Sequence, residues 1–386
     1  MRSCDVLIVG AGPAGSSCAW GLRSSGLDVV VLDKSAFPRD KVCGGWITPF
    51  VLQELQIDPL EYRRGRTLQP ISAFRVSCLG QPETIVNYNQ PVSYGIRRRE
   101  FDEYLVRRCG AEVRENVPVK SIQRTGEQWI VNGEFKARLL IGAAGHFCPV
   151  ARLSGNRPQE SPVIAQEIEF PMSDGQAAGC RVSAETPELY FCRDLQGYGW
   201  CFRKDNFLNI GLGRLDQHRL SEHVSEFADF LRIQGRIAPD LPRRFAGHAY
   251  LLYGFSSRKV IDHGLMLIGD SAGLAYAQSG EGIRPAVESG LIAAGVALAA
   301  GNNFVSERLR DYPALLRQRL REQGGVMEFM AKHVPRPLRN LLARRLLQSQ
   351  QFCRKVVVEN WFLRMKDKPL PCPASALDAV SARLAV

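Results

Sequence analysis

"CDVLIVGAGPAGSSCAWGLRSSGLDVVVLDKS", residues 4–35, changes character three times along its length. Val6, Leu7, Ile8 and Val9 form the continuous apolar run expected of a parallel strand buried on both faces. Gly10-x-Gly12-x-x-Gly15 follows without a gap. Next comes a helix of small and apolar residues (Ala14, Cys18, Ala19, Leu22), and Gly26 ends it before a second apolar run, Val29 to Leu32. Strand, glycine turn, helix and strand in that order predict an α/β fold built on a Rossmann-like unit. Gly10 permits the tight turn, Gly12 lets a pyrophosphate approach backbone N–H groups, and Gly15 lets the helix pack on the strand, with Pro13 and Ala14 completing the turn. Asp33, eighteen residues after Gly15 and followed by Lys34, stands where a carboxylate accepts hydrogen bonds from a ribose diol. An acid there favours FAD or NAD over NADP. A glycine turn without a ligand is the competing reading; the strand before it, the helix after it and the acid at the next strand end argue against it.

The chain has 386 residues, 45% of them hydrophobic and 23% charged, which is ordinary globular composition with room for two or three domains. Its eleven cysteines include no C-x-x-C pair, which argues against a disulfide framework or zinc site and for a reducing, cytoplasmic setting. Met1 to Cys4 leave no room for a signal peptide before the first strand, and the apolar run at 290–301 is too short to span a bilayer. The formal charge is +11. Between Lys332 and Lys368 ten Lys or Arg face two acids, a net +8. The segment 332–368 combines those charges with Leu and Phe at helical intervals. It could lie on the inner face of an anionic membrane as a peripheral contact, or it could be a surface helix pair capping the substrate domain with its charges solvated. No basic groove interleaved with aromatics is present, so nucleic acid is not an expected partner.

Two later stretches decide between FAD and NAD. "HGLMLIGDSAG" at 263–273 reads as a buried strand ending in Gly269-Asp270, where an acid can bind a ribityl hydroxyl. "SGEGIRPAVESG" at 279–290 sets Gly280, Gly282 and Ile283 at the start of a helix, whose N-terminus can hold a polar ring edge. Together with "PRDKVCGG" at 38–45, "RREFDEYL" at 98–105 and "GYGWCFRK" at 197–204, these motifs resemble, in order, the flavoproteins of the geranylgeranyl reductase family. That family lies within the wider group of aromatic-ring hydroxylases and flavin-dependent halogenases. The resemblance runs from residue 1 to about 300. It implies a glutathione-reductase-type FAD-binding domain, an antiparallel β-sheet substrate domain and a C-terminal helical segment. The corresponding ranges are 1–70, 96–155 and 259–300 for FAD, 71–95 and 156–258 for substrate, and 301–386 for the helices.

By the resemblance, Asp33 holds the adenosine ribose, Arg98 and Arg39 approach the pyrophosphate or ribityl chain, and Gly269 and Asp270 take the ribityl or pyrophosphate portion. Ala144 and Gly145 border the dinucleotide, and Gly280, Gly282 and Ile283 lie against the isoalloxazine. In "GAAGHFCPVAR" at 142–152 Ala144 replaces an acid that the family commonly carries, so the electron donor, NAD(P)H or another reductant, stays open. Residues 162–215 alternate as short strands ("VIAQEIEF", "ELYFC", "GWCF", "FLNIGLG"), and Leu220, Val224, Phe227 and Leu231 recur at helical spacing. Tyr198, Trp200 and Phe202 share one strand face. They are either the inner face of a sheet or, with Leu212, the lining of a cavity for an apolar or aromatic small-molecule substrate.

Cys43 lacks metal partners at usable spacing and lacks a neighbouring base. By the resemblance, Gly44 and Gly45 grant the flavin ring close access, and Cys43 is a proton donor or a pocket shaper, or else a small residue beside the cofactor. The catalytic candidates are therefore Cys43, Tyr198 and Trp200. The expected activity is FAD-dependent reduction of C=C bonds in an isoprenoid or other extended apolar substrate. The alternatives are a flavin-dependent monooxygenase, a halogenase (whose W-x-W-x-I-P motif is absent) and a non-catalytic flavin-binding protein. Nothing in the spacing of His146, His218, His223 and His248 selects a general acid.

Overall fold

The computed structural model describes residues 1–153, 162–216, 218–242, 244–254, 258–320 and 335–370. Lys332, residues 156–161 of the expected substrate domain, and 321–334 and 371–386 of the expected C-terminal segment lie outside the described residues. Arg2–Val9, with Val6 to Ile8 wholly buried, sits at the centre of a sheet ordered Ile261–Asp262, Leu265–Leu267, Phe135–Gly142, Arg2–Val9, Val29–Leu32, Glu112–Arg114. The five strands from Leu265–Leu267 to Glu112–Arg114 are parallel, in register Val6 with Leu139 and Val6 with Val29. Helices cover the sheet, which is why its strands read as unbroken apolar runs. Helix Pro13–Leu22 leaves the first strand at the glycine turn and packs along Ile283–Ala299. A Cβ on Gly15 would overlap the Gly10 carbonyl oxygen, so the turn and the helix can meet only at glycine.

The second sheet has seven strands, ordered Ala246–Tyr250, Val163–Pro171, Phe207–Arg214, Gly197–Lys204, Glu188–Phe191, Ala73–Cys78, Thr84–Asn87. All neighbours are antiparallel except Glu188–Phe191 with Ala73–Cys78. Its two faces follow the two-residue period. One face carries Tyr190, Cys201, Ile210 and Leu212 against Val224, Phe227 and Leu231 of helix Leu220–Ile233. The other carries Phe74, Val76, Trp200 and Phe202. Leu212 therefore does not share the wall formed by Tyr198, Trp200 and Phe202, as the sequence suggested. It pairs across the strands with Gly199, whose absent side chain leaves room for Phe227, while Gly211 lies under the Trp200 ring. Ser93–Ile96, assigned from sequence up to residue 95 to the substrate domain, instead pairs with Trp46–Ile47 and Leu68–Ile71 in a separate three-stranded sheet.

The C-terminal part divides. Asp311–Leu320 joins the core of the parallel sheet, where the Tyr312 hydroxyl donates to the Leu267 carbonyl at 2.8 Å. Arg336–Leu346, Gln350–Phe352 and the widely wound helix Cys353–Phe362 lie on the other side, and Leu347, Cys353, Val357, Val358, Phe362 and Leu363 close over the aromatic face of the seven-stranded sheet. A buried ionic group ties Arg319 and Asp367 to the earlier part of the structure. Glu288 accepts from Arg284 Nε at 2.7 Å and from Arg319, Glu54 lies 3.1 Å from Arg319, and Arg284 Nη2 lies 3.5 Å from Asp367. Burial, reinforced by neighbouring Glu288, pushes the Glu54 carboxyl up to about 8. Among the described residues no helix is long and apolar enough to cross a membrane.

Candidate active site

The glycine turn and the parts expected around it converge at the C-terminal edge of the parallel sheet. Helix Pro13–Leu22 starts at Gly12 with no side-chain cap and no acid in its first turn, so its N-terminus is open to an anion. Asp33 is buried, accepting from Ala11 N–H at 2.8 Å and Ser35 N–H at 2.9 Å, which aims its carboxylate beside the turn. Lys34 is exposed. Arg39 Nη2 lies 3.4 Å from where a Gly12 Cβ would stand, and Asp102 holds it at 3.2 Å. The same Asp102 takes Arg98 through two bonds of 2.8 Å, so one buried carboxylate orients both guanidinium groups. Ala144 and Gly145 lie over the turn, with the Ala144 Cα 2.7 Å from a Cβ built on Gly10, and Ser271 donates to the Gly145 carbonyl at 3.2 Å. An open helix end, a fixed acid and two oriented guanidinium groups in one row fit an FAD dinucleotide.

Farther along, Asp270 faces His248 Nε2 at 3.5 Å, and Lys41 Nζ stands 3.0 Å from His248 Nδ1. Burial would raise the Asp270 carboxyl, but His248, Lys41 and Arg98 outweigh it and hold it below the usual carboxylate range. Burial, with Arg98 and Arg39 adding to it, pulls the Lys41 amine down despite Asp270. Of the four histidines singled out in the sequence, His248 is brought into this row. His223 lies on helix Leu220–Ile233, on the far side of the seven-stranded sheet, and His218 immediately precedes that helix.

Cys43, Tyr198 and Trp200 come together. A Cβ on Gly44 would lie 3.4 Å from the Phe202 ring and 3.5 Å from Trp200 Nε1. Gly45 has φ +64°, and a side chain there would overlap the Ile96 carbonyl oxygen, so this loop must be glycine to lie flat against the strand. The Cys43 sulfur accepts from Gly45 N–H at 3.4 Å and lies within reach of the Arg98 guanidinium. The Tyr198 hydroxyl donates to the Ser279 carbonyl, tying the aromatic wall to the loop that carries Gly280, Gly282 and Ile283. Burial, with Tyr250, Glu281 and Cys43 close by, keeps that hydroxyl protonated.

Beneath the Cys43 loop lies a polar layer that the sequence reading passed over. Glu167 accepts from Cys43 N–H, and Asn209 Nδ2 donates to the Cys43 carbonyl at 3.2 Å, to Glu167 at 3.3 Å and to Glu169 at 3.3 Å. Asn209 Oδ1 accepts from Trp200 Nε1 at 2.7 Å, and Lys204 donates to Glu169 at 2.6 Å and to the Ile96 carbonyl at 3.0 Å. Burial pushes the Glu167 carboxyl up to about 7, whereas Lys204 and Arg97 overcome burial and keep Glu169 low. The signal was present: two acids at i and i+2 in "VIAQEIEF" and an Asn in "FLNIGLG" place charge on the buried face of apolar strands. Glu281, between Gly280 and Gly282, was also missed. Its Oε1 accepts from Arg284 N–H at 2.7 Å, its buried Oε2 has no partner among the described residues, and burial pushes the carboxyl up to about 7.

The description "NAD(P)-binding Rossmann-like domain" matches residues 8–63. A digeranylgeranylglycerophospholipid reductase of Methanocaldococcus jannaschii is 28% identical over 328 residues, covering 80% of this chain and 81% of that protein. The crystal structure of a geranylgeranyl bacteriochlorophyll reductase-like protein from Thermoplasma acidophilum superposes with a TM-score of 0.72 over 98% of this chain and 99% of that one, at 21% identity, which establishes a shared fold. A menaquinone reductase of Mycobacterium tuberculosis is 30% identical over 321 residues, 76% of each chain. The chain belongs to the geranylgeranyl reductase family of FAD-dependent oxidoreductases. Within this family member the C-terminal helix packs on the aromatic strand beside the Cys43 loop: Phe362 stacks on Trp46 at 5.2 Å and meets Tyr198 edge-on at 5.4 Å.

Proposed function

We propose that the protein reduces C=C bonds of an isoprenoid chain carried on a lipid or quinone. The observation that supports this most directly is the wall of Trp46, Phe74, Tyr198, Trp200, Phe202 and Phe362 beside the Gly44–Gly45 and Gly280–Ile283 backbones. An extended apolar chain gains by burial against such a wall, and the rings orient it without a polar anchor. Relatives named for digeranylgeranylglycerophospholipid and for menaquinone agree with that substrate class. FAD held here would supply the hydride chemistry that saturates the alkene.

The chain's own residues do the rest. Arg39 and Arg98, oriented by Asp102, would hold the pyrophosphate side of FAD, Asp33 the ribose, and Asp270 with His248 and Lys41 the ribityl side. Cys43, Tyr198 and Trp200 line the reacting face and keep water from it. Glu281, protonated at Oε2 near neutral pH, gives the proton to the second alkene carbon, and its carboxylate is then held by the Arg284 N–H. The test is an anaerobic single turnover of photoreduced holoprotein with a geranylgeranyl-bearing lipid. Flavin reoxidation matched by a product gaining two hydrogens per reduced bond is the expected result. Reoxidation that occurs only on admitting air, with an oxygenated product, overturns the reading in favour of a monooxygenase.

A further inference from the structure

Helix Arg336–Leu346 has two unlike sides. Asn340, Ala343 and Leu347 point inward: Asn340 Nδ2 donates to the Asp194 carbonyl at 3.3 Å, and Ala343 and Leu347 are buried. On the opposite side Leu338, Leu341 and Leu342, spaced i, i+3 and i+4, are 50%, 65% and 39% exposed. Arg345, one turn on from Leu341 and Leu342, is exposed within the same stripe. The helix carries four arginines (336, 339, 344 and 345) and no acid. Single exposed leucines are common on protein surfaces. Three in one stripe with arginine among them mark a surface that meets something.

Charge decides what that is. Two copies of this chain, each with a formal net charge of +11, would bring Arg345 of one against the same basic face of the other, so self-association through this side is opposed. Leucines beside guanidinium groups suit a bilayer surface, where apolar side chains enter the acyl boundary and arginine meets anionic headgroups. The position of the helix agrees. Its C-terminal end runs through Leu347 into the aromatic cluster, and the chain continues into Cys353–Phe362, the wall facing Trp46 and Tyr198. We propose that helix Arg336–Leu346 docks the protein on an anionic lipid surface, with Leu338, Leu341 and Leu342 in the interface and Arg345 among the headgroups.

The experiment is vesicle flotation of the full-length holoprotein, with phosphatidylcholine vesicles and with phosphatidylcholine–phosphatidylglycerol vesicles, and size-exclusion chromatography with light scattering in parallel. It reads binding without turnover, so its outcome is separate from that of the reductase assay. Wild type should float with the anionic vesicles only, less so as salt rises. A variant combining Leu338→Ser, Leu341→Ser and Leu342→Ser, and a second variant, Arg345→Glu, should each lose about tenfold in bound fraction, with flavin absorbance and thermal unfolding unchanged. Wild type that stays at the bottom of the gradient at low salt, or serine and glutamate variants that float like wild type, overturns the proposal. So does a wild-type dimer that the serine variant converts to monomer without any vesicle binding, which would make this face a contact between copies.

Discussion

Replacing Glu167 by Gln tests the polar layer that carries the Cys43 loop. Glu167 is 5% exposed; one oxygen accepts the Cys43 N–H and the other accepts Asn209 Nδ2 at 3.3 Å. Burial lifts its carboxyl from 4.5 to about 7, against the opposing pull of the Cys43 amide and Lys204. A folded-state value above the unfolded one means that the native protein binds the proton more tightly. Stability is therefore fully present below pH 4.5 and is lost as pH rises through 7. At about 1.4 kcal/mol per pH unit the shift corresponds to a loss of roughly 3 kcal/mol between the two ends of that window.

The glutamine side chain cannot ionise, and it keeps an acceptor for the Cys43 N–H. Its amide nitrogen, however, faces the Asn209 amide nitrogen, which cannot turn because Oδ1 is held by Trp200. That mismatch costs about 1 kcal/mol at every pH. Wild type has already lost about 1 kcal/mol of this stability at pH 5, so Glu167→Gln should match it there to within a few tenths of a kcal/mol and be more stable by about 2 kcal/mol at pH 8. Differential scanning fluorimetry of the holoproteins at both pH values checks this. At about 2 °C per kcal/mol, the Tm difference between variant and wild type should grow from near zero at pH 5 to roughly 4 °C in favour of the variant at pH 8. Glu54 and Glu281 also lose protons as pH rises, but they do so in both proteins and cancel in the comparison. A Tm difference that is the same at pH 5 and pH 8 refutes the reasoning.

Glu281→Gln should lower the anaerobic single-turnover rate about a hundredfold and remove the decline that wild type shows as pH rises through about 7, followed by stopped-flow flavin absorbance. An unchanged pH profile would take the proton from elsewhere. Asp33→Ala removes the acceptor of two backbone N–H groups and of the expected ribose diol, so FAD retention measured by fluorescence release should weaken at least about tenfold while far-ultraviolet circular dichroism is kept. Phe362→Ala deletes a ring that is 2% exposed and stacked on Trp46. It should cost about 3 kcal/mol by chemical denaturation and raise KM for long isoprenoid substrates more than it lowers kcat.

The residues that were legible in the sequence are those whose reason is local. Val6 to Val9, the glycine turn and Asp33 carry their geometry within about thirty positions, because a buried parallel strand, a tight turn and a helix N-terminus each impose their own residue types. Period 2 likewise placed Tyr198, Trp200 and Phe202 on one face. What sequence could not show is which layer covers each face. Leu212 read as lining because it is apolar and close in sequence to the aromatic strand, yet register pairs it with Gly199 and turns it toward Phe227. The C-terminal segment read either as a membrane contact or as a helix pair capping the substrate domain, and only packing showed that Phe362, Val358 and Leu347 close the aromatic cluster while Leu338, Leu341 and Leu342 face outward. Glu167 and Asn209 come from different strands and meet Cys43 across sequence separations of more than a hundred residues, and His248 meets Lys41 in the same way. Those meetings depend on strand order and packing, and a buried charge is tolerated only where tertiary neighbours supply its partners, so the acids that adjust the site were decided by the folded structure alone.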